Sequence, residues 1–506
     1  MANRGFPVVY KMSRDAGSSL RAEKGKLQPA MAAAYPPWVA FEHYCTREVQ
    51  GCSPSIADDK TRASCLTTAG IAIHVSLCLA APPEGSRVCI QLPADVKVSY
   101  SIALAAHGDS VLVQVAGIEA CGWSSMTDHF VYNAGNAAAD PPRPPSLTLL
   151  PLFDHGKRRR RYMDSKAASI LRRGEDEFVV AELDMHEVGQ KIPKVAELRL
   201  LRSAGRGEWP PVSHYDGGDA DWLSSLWFSD DVIPVGGDRL CWVDVGYGLL
   251  FSDVFDENPS LRYVPLPGDP WFERSSYMNV CVTGGGDVIK FVNIFPRCCC
   301  GRAGHSYCDY SDHAYTIHTW TLSMHDMAWV TDGTTDATDL WPLDGYKGLP
   351  CVQLDYPIMS MDEPHVICFM VCEDYHVDHG DKTVFVIMVD MRSKTLRSIF
   401  CYPEGREYHG RQQLLPSRVS SQYFNSKQSS GRLGMSGAET VPSLANNISD
   451  NDLGRPACKS PDAPIQASSL GWILAALNEI PGLDRDDMLK AFHILQTSIC
   501  WLFQWV

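Results

Sequence analysis

The chain has 506 residues, 45% hydrophobic and 21% charged, with a formal net charge of -15. That composition can bury a large core, and the acidic balance repels polyanions, so nucleic acid is not the expected partner. No apolar run approaches the roughly 20 residues that a membrane-spanning helix needs, and the 18 cysteines are scattered rather than framed for disulfides, which reads as reduced thiols in a cytoplasmic or nuclear protein.

Residues 1–37 are rich in Arg, Lys, Ser and Ala and lack the apolar stretch of a secretory signal, so they read as a disordered leader. An organelle transit peptide is the alternative. From Trp38 onward, strand patterns follow one another: "WVAFE", "IAIHVSLCL", "RVCIQL", "VSYSIALAA" and "SVLVQVAG". The stretch 129–153 adds a strand, a Pro-rich loop and a Leu-Pro ending. "EFVVAELDMH" and "VAELRLLRSAGRGEWPPV" add two more strands.

The clearest pattern is "RLCWVDVGYGLLFSDVFDENPSLRYVPLP" at 239–267. Cys241, Val243 and Val245 fall on one face and Leu240 and Trp242 on the other, which predicts a strand buried on both sides. Gly246 and Gly248 are expected to supply positive φ for a tight turn. Leu249 to Phe255 forms the next strand and Asp256-Glu257-Asn258-Pro259 a loop. Pro265 and Pro267 make the third strand an edge, because proline donates no ladder hydrogen bond. A meander of this kind, with buried inner strands and an outer edge, is one blade of a β-propeller. The rhythm recurs as a hairpin at 280–295, another at 314–332 and three strands at 365–400, with no convincing long helix between them.

Residues 405–468 are dominated by Ser, Gly, Asn, Gln, Arg and Pro and read as a disordered linker. Residues 469–506 switch to helical period. Trp472, Ile473, Leu477 and Ile480 line one helix, and Met488, Phe492, Leu495, Ile499 and Leu502 line a second beyond Pro481-Gly482. This predicts a helical hairpin. The expected architecture is thus mainly β, an irregular propeller-like domain over 38–404 followed by the linker and the hairpin.

Four stretches invite a chemical reading. Cys298, Cys299, Cys300, His305, Cys308 and His313 offer soft ligands, but structural zinc wants two close pairs. The pairs available here are Cys300 with His305 and Cys308 with His313, each loosely spaced, and three adjacent cysteines cannot all face one ion. The stretch is read as a thiol-rich insertion, with no metal and no cofactor expected. Glu373, Asp374, His376, Asp378, His379 and Asp381 are read as a solvated turn rather than a cation site. Lys157, Arg158, Arg159, Arg160 and Arg161 form a dense basic run, a solvated loop or a nuclear import signal. "VTGGGDVI" at 282–289 continues into a strand, so its glycines make a turn and not a dinucleotide loop.

Long ordered segments of the chain resemble one family. They are "PPWVAFE", "EFVVAEL", "LCWVDVGYGLLFSDVFDENPSLRYVPLP", "DVIKFVNI", "TIHTWTLSMHDMAWVTD", "YPIMSMDEPHVICFMV" and "ILAALNEIPGLDRDDMLKAFHIL". They resemble the plant family, expanded in grasses, known as domain of unknown function 1618, whose rhythm is similar to that of F-box-associated propeller domains. The resemblance implies a fold and assigns no activity to any residue. The expected function is a non-catalytic scaffold that binds a protein partner, with no nucleic acid and no membrane involved. The alternatives are an enzymatic or metal-dependent activity seated in a propeller channel, and a nuclear regulatory factor directed by the basic run.

Overall fold

Alternating apolar residues form strands wherever both faces of the alternation find a neighbouring layer to bury against. The computed structural model describes residues 36–49, 57–118, 126–136, 140–151, 162–174, 177–187, 194–203, 211–215, 227–267, 275–296, 315–372, 384–402 and 414–419. The chain divides into two units, Met1–Leu433 and Gly434–Val506, and every described residue belongs to the first. The helical hairpin expected over 469–506 lies outside the described residues, as does nearly all of the leader.

Among the described residues the strands form six four-stranded sheets and one two-stranded pair. After β1 (Val39–Phe41), the first sheet takes β2 (Thr46–Val49), β3 (Asp58–Leu66), β4 (Ala72–Cys78) and β5 (Arg87–Leu92) in the order β2-β5-β4-β3. Here β2 runs parallel to β5. The other five sheets are antiparallel meanders in chain order. The second holds β6 (Tyr100–His107), β7 (Ser110–Ile118), β8 (Met126–Asn133) and β9 (Ser146–Leu149). The third holds β10 (Ala168–Arg173), β11 (Glu177–Glu187), β12 (Lys194–Arg202) and β13 (Pro211–Tyr215). The fourth holds β14 (Asp231–Val235), β15 (Arg239–Asp244), β16 (Gly248–Asp253) and β17 (Arg262–Pro265). The fifth holds β18 (Met278–Thr283), β19 (Val288–Pro296), β20 (Tyr315–Ser323) and β21 (Ala328–Asp336). A short α-helix, α1 (Ala337–Leu340), capped by Asp336, leads on to the sixth: β22 (Asp355–Met359), β23 (Val366–Cys372), β24 (Val384–Asp390) and β25 (Thr395–Cys401). The last described strand is β26 (Leu415–Ser417).

The fourth sheet follows its sequence pattern closely. Leu240, Trp242 and Leu250 pack into a core shared with the third sheet. Cys241, Val243, Leu249 and Phe251 pack into a core shared with the fifth. The strand ending in Pro265 is the edge, as its prolines require. The expectation for the glycines of Gly-Tyr-Gly fails. Neither adopts positive φ, and Gly248 is required instead by close approach, because a Cβ there would lie 2.5 Å from the Val264 carbonyl. Gly284, Gly285 and Gly286 do take positive φ, at +62°, +87° and +114°, in the turn between β18 and β19.

Each sheet shares a buried core with the next. The first and second meet around Ile90 and Val113, the second and third around Leu112 and Ile170, and the fifth and sixth around Ile317 and Phe369. The segment at β1 alternates between two cores: Val39 and Phe41 join the first sheet, while Trp38 and Ala40 join the sixth. Hydrogen bonds stitch the same neighbours. Ser169 Oγ donates to the Val232 carbonyl, Gly236 N–H to Gly286, Asn279 to Pro357, and Arg418 to Met361.

One boundary is corrected. The stretch 405–468 was expected to be disordered throughout, yet β26 pairs antiparallel with β1 through Val39 and Ser417, Ala40 and Pro416, and Phe41 and Leu415. Leu414 and Val419 are buried beside it. A few apolar residues inside a polar tract suffice when the partner strand is supplied from the far end of the unit. Among the described residues, no helix is long and apolar enough to cross a membrane.

Candidate functional site

The basic run 157–161, the thiol-rich stretch 297–313 and the acidic tip 373–381 lie outside the described residues. Among those described, no three His, Cys, Asp or Glu side chains converge on a common point that could hold a metal ion. The described cysteines are free thiols, and burial pushes Cys89, Cys281 and Cys368 up to about 12, which makes them poor nucleophiles.

The surface feature that the fold assembles is aromatic. Tyr44, Tyr100 and Tyr162 are large, partly exposed side chains from three separate segments. Tyr44 is fixed by an antiparallel bridge to Ile102, and the flanking bonds run from Cys45 N–H to the Ser101 carbonyl and from Ala103 N–H to the His43 carbonyl. This ladder lays Tyr44 against the start of β6, which Tyr100 opens.

Tyr162 is brought to the same place by a buried clamp. Gln114, from the middle of β7, accepts at Oε1 from the Met163 N–H at 3.1 Å and pairs there with His129 Nε2 at 2.8 Å. Its Nε2 donates to the Tyr100 hydroxyl at 3.4 Å. Gln114, His129 and Met163 are all buried. Burial pushes His129 down to about 4, so the ring is neutral and donates one N–H to the glutamine. The phenol of Tyr100 is raised, first by burial and then by its neighbours Tyr162 and Tyr44. The three tyrosines are therefore one electrostatic neighbourhood.

A fourth ring, Phe228, stands where the chain enters β14 and is 48% exposed. Its N–H donates to Asp244 Oδ2 at 2.7 Å. Beside it Lys166 faces Asp230 at 3.5 Å, joining this segment to the one that carries Tyr162. Trp242 Nε1 donates to the Ala167 carbonyl at 2.8 Å and anchors the same approach to β10. Asp244 is pushed up to about 7, chiefly by burial, with Asp230 adding to the rise against its backbone hydrogen bonds. Asp231 is pushed up to about 6 by burial. The rim presents phenols, a phenyl ring and the Lys166–Asp230 ion pair. These are rigid amphipathic groups suited to contact rather than bond-making.

Sequence reading passed over these residues. The signal available was faint: a large aromatic at the start of a strand pattern, at Tyr100, and another just after the basic run, at Tyr162. Nothing local to either says that they meet.

Residues 242–368 match the family described as "Protein of unknown function (DUF1618)". The match supports the resemblance to that family. It runs from β15 in the fourth sheet to β23 in the sixth, the part of the chain with the clearest alternation. No curated protein matches the chain. Similar solved structures include TolB from Acinetobacter baumannii, 8% identical, covering 71% of this chain and 67% of that one, with a TM-score of 0.31. The WD40 domain of SCAP from fission yeast is 10% identical, covers 74% of this chain and 90% of that one, and scores 0.27. A family 117 glycoside hydrolase from Zobellia galactanivorans is 9% identical, covers 71% of this chain and 91% of that one, and scores 0.27. At such scores these likenesses carry no argument about activity here.

Proposed function

We propose that the described unit is a six-bladed β-propeller and that it serves as a non-catalytic protein-interaction scaffold in the cytoplasm or nucleus. The propeller reading is supported by six four-stranded sheets, each sharing a core with the next, and by β1, which packs on both the first and the sixth. The observation that carries the binding reading is the rim of Tyr44, Tyr100 and Tyr162, with Tyr44 held by its bridge to Ile102 and Tyr100 and the Met163 backbone held by Gln114 and His129. Tyrosine is enriched where protein surfaces bind, because it offers a large contact area with few rotatable bonds and a polar tip. A surface built with a buried polar clamp under it is pre-organised, which lowers the ordering cost of association. The test is quantitative affinity purification of the wild type and of a Tyr100→Ala, Tyr162→Ala double variant. The variant is expected to keep its β-sheet spectrum and cooperative melting while losing a stoichiometric protein partner. A variant that stays folded and retains every partner overturns the proposal.

A further inference from the structure

The residues beneath the tyrosine rim fix its hydrogen-bond polarity, and that polarity narrows the partner. The Met163 backbone N–H can only donate. It lies 3.1 Å from one end of the Gln114 amide and 3.4 Å from His129 Nε2. The nearer amide end is therefore the oxygen, because two facing donors would repel. The same oxygen stands 2.8 Å from His129 Nε2, whose ring burial keeps neutral and which donates to it. With Oε1 taken by these two donors, the amide Nε2 is turned toward Tyr100 and donates to its hydroxyl at 3.4 Å.

A phenol oxygen that accepts from beneath still has its own O–H to give. The Gln114 amide cannot take it, since the end that faces Tyr100 is itself a donor. Tyr100 is 40% exposed, so the O–H is offered outward. Tyr100 thus presents a hydrogen-bond donor beside a flat apolar ring.

Charge around this donor is balanced or missing. The Tyr100 phenol is raised, first by burial and then by Tyr162 and Tyr44, so it stays neutral at physiological pH. The His43 ring packs edge-on against Tyr44 at 5.4 Å. Burial pushes that histidine down to about 4, so it is neutral as well. Lys166 and Asp230 face each other at 3.5 Å and balance one another. Among these residues, nothing selects a charged ligand.

Such a surface suits a partner with apolar area to lie on ring faces, carbonyl acceptors to meet the phenol, and few N–H donors of its own. A proline-rich segment has those properties. Proline carries no N–H, and the polyproline helix makes no internal hydrogen bonds, so its carbonyls are open to an outside donor. Its fixed φ also lowers the ordering cost of binding, and aromatic-lined surfaces are a recurrent way of holding it.

We infer that the rim takes a proline-rich segment of a partner protein in extended polyproline conformation, with the Tyr100 hydroxyl donating to one of its carbonyls and the rings of Tyr44 and Tyr162 bearing its prolines. The inference rests on the scaffold reading above and names the class of partner for that surface.

The experiment is calorimetric titration of the full chain with a polyproline peptide, a glycine-serine peptide of the same length and a soluble oligosaccharide. Saturable binding is expected for polyproline alone, and it should change little with salt because no ion pair forms. Tyr100→Phe keeps the ring and removes the donor, and is expected to weaken binding by about fivefold. Gln114→Glu puts an acceptor where the amide donated. It should draw the Tyr100 O–H inward and weaken binding by a similar factor. The two changes together should weaken it no further than either alone. Where Gln114→Glu does not fold, Tyr100→Phe decides. No saturable binding of polyproline, or binding that Tyr100→Phe leaves unchanged in a folded protein, overturns the inference. So does equal binding of the control peptide or the oligosaccharide, or a dimer of the chain that polyproline does not dissociate. If it falls while the Tyr100→Ala, Tyr162→Ala double variant still loses its protein partner, the rim remains a contact surface and the partner class alone is wrong.

Discussion

The fourth sheet and the tyrosine rim both depend on aromatic residues, and they use them in opposite ways. In the sheet, Trp242 is wholly buried between layers, and its one polar atom is satisfied by the Ala167 carbonyl. In the rim, Tyr100 and Tyr162 keep 40% and 44% of their surface open, and the buried polar work is done beneath them by Gln114 and His129. The first arrangement spends its aromatic area on cohesion. The second leaves that area at the surface, over a buried polar clamp.

Substitutions should separate the two regions by size of effect. Phe251→Ala, in the core shared by the fourth and fifth sheets, is expected to cost about 3–5 kcal/mol, read as a shift in denaturation midpoint. An unchanged midpoint would mean that this layer is not the cohesive region described. Gln114→Leu is expected to cost about 1–3 kcal/mol, because it leaves the Met163 N–H and His129 without their buried partner. It should also shift the nuclear magnetic resonance signals of the Tyr100 and Tyr162 rings. If those signals stay put, the clamp does not position the rim.

The next contrast is in pH. The folded protein raises Asp244 above the ordinary carboxylate range to about 7, so its folded form holds a proton more tightly than its unfolded form. The stabilisation from that group is present below about pH 4 and is lost as pH rises through about 7. Buried His43, His107 and His129 are pushed down to about 4 and run the opposite way. The readout is therefore the difference between the wild type and Asp244→Asn, which should move in favour of the variant between pH 4 and 8. A difference independent of pH would show that folding does not raise Asp244 above its unfolded value. Smallest of all, Tyr162→Ser should change stability by about 1 kcal/mol or less, since the side chain is largely outside the core.

The two regions also differ in how far the sequence revealed them. Alternation in "RLCWVDVGYGLLF" gave the faces of β15 and the burial of Cys241 and Trp242, because strand period and burial on both sides are local properties. Prolines placed the edge at β17 for the same reason. The role of Gly248 was misread, because the close approach of the Val264 carbonyl belongs to a neighbouring strand and not to the turn. The strand at 415–417 was hidden for a related reason: it is apolar only in part and is completed by β1, more than 370 residues earlier. The rim lay further out of reach. Tyr44, Tyr100 and Tyr162 become neighbours only when β6 follows the bridge at Tyr44 and when Gln114 captures Met163. Each of those contacts depends on the packed sheets already being in place.

The central claim is that the tyrosine rim is the contact surface, and site-specific photo-crosslinking tests it most directly. A photoreactive residue would be placed at Tyr100, and in a second protein at Val330, which is 58% exposed on the outer strand β21. The account predicts one defined protein adduct from position 100, absent when Tyr162→Ser is added, and none from position 330. No adduct from position 100, or equal adducts from both positions, would contradict it.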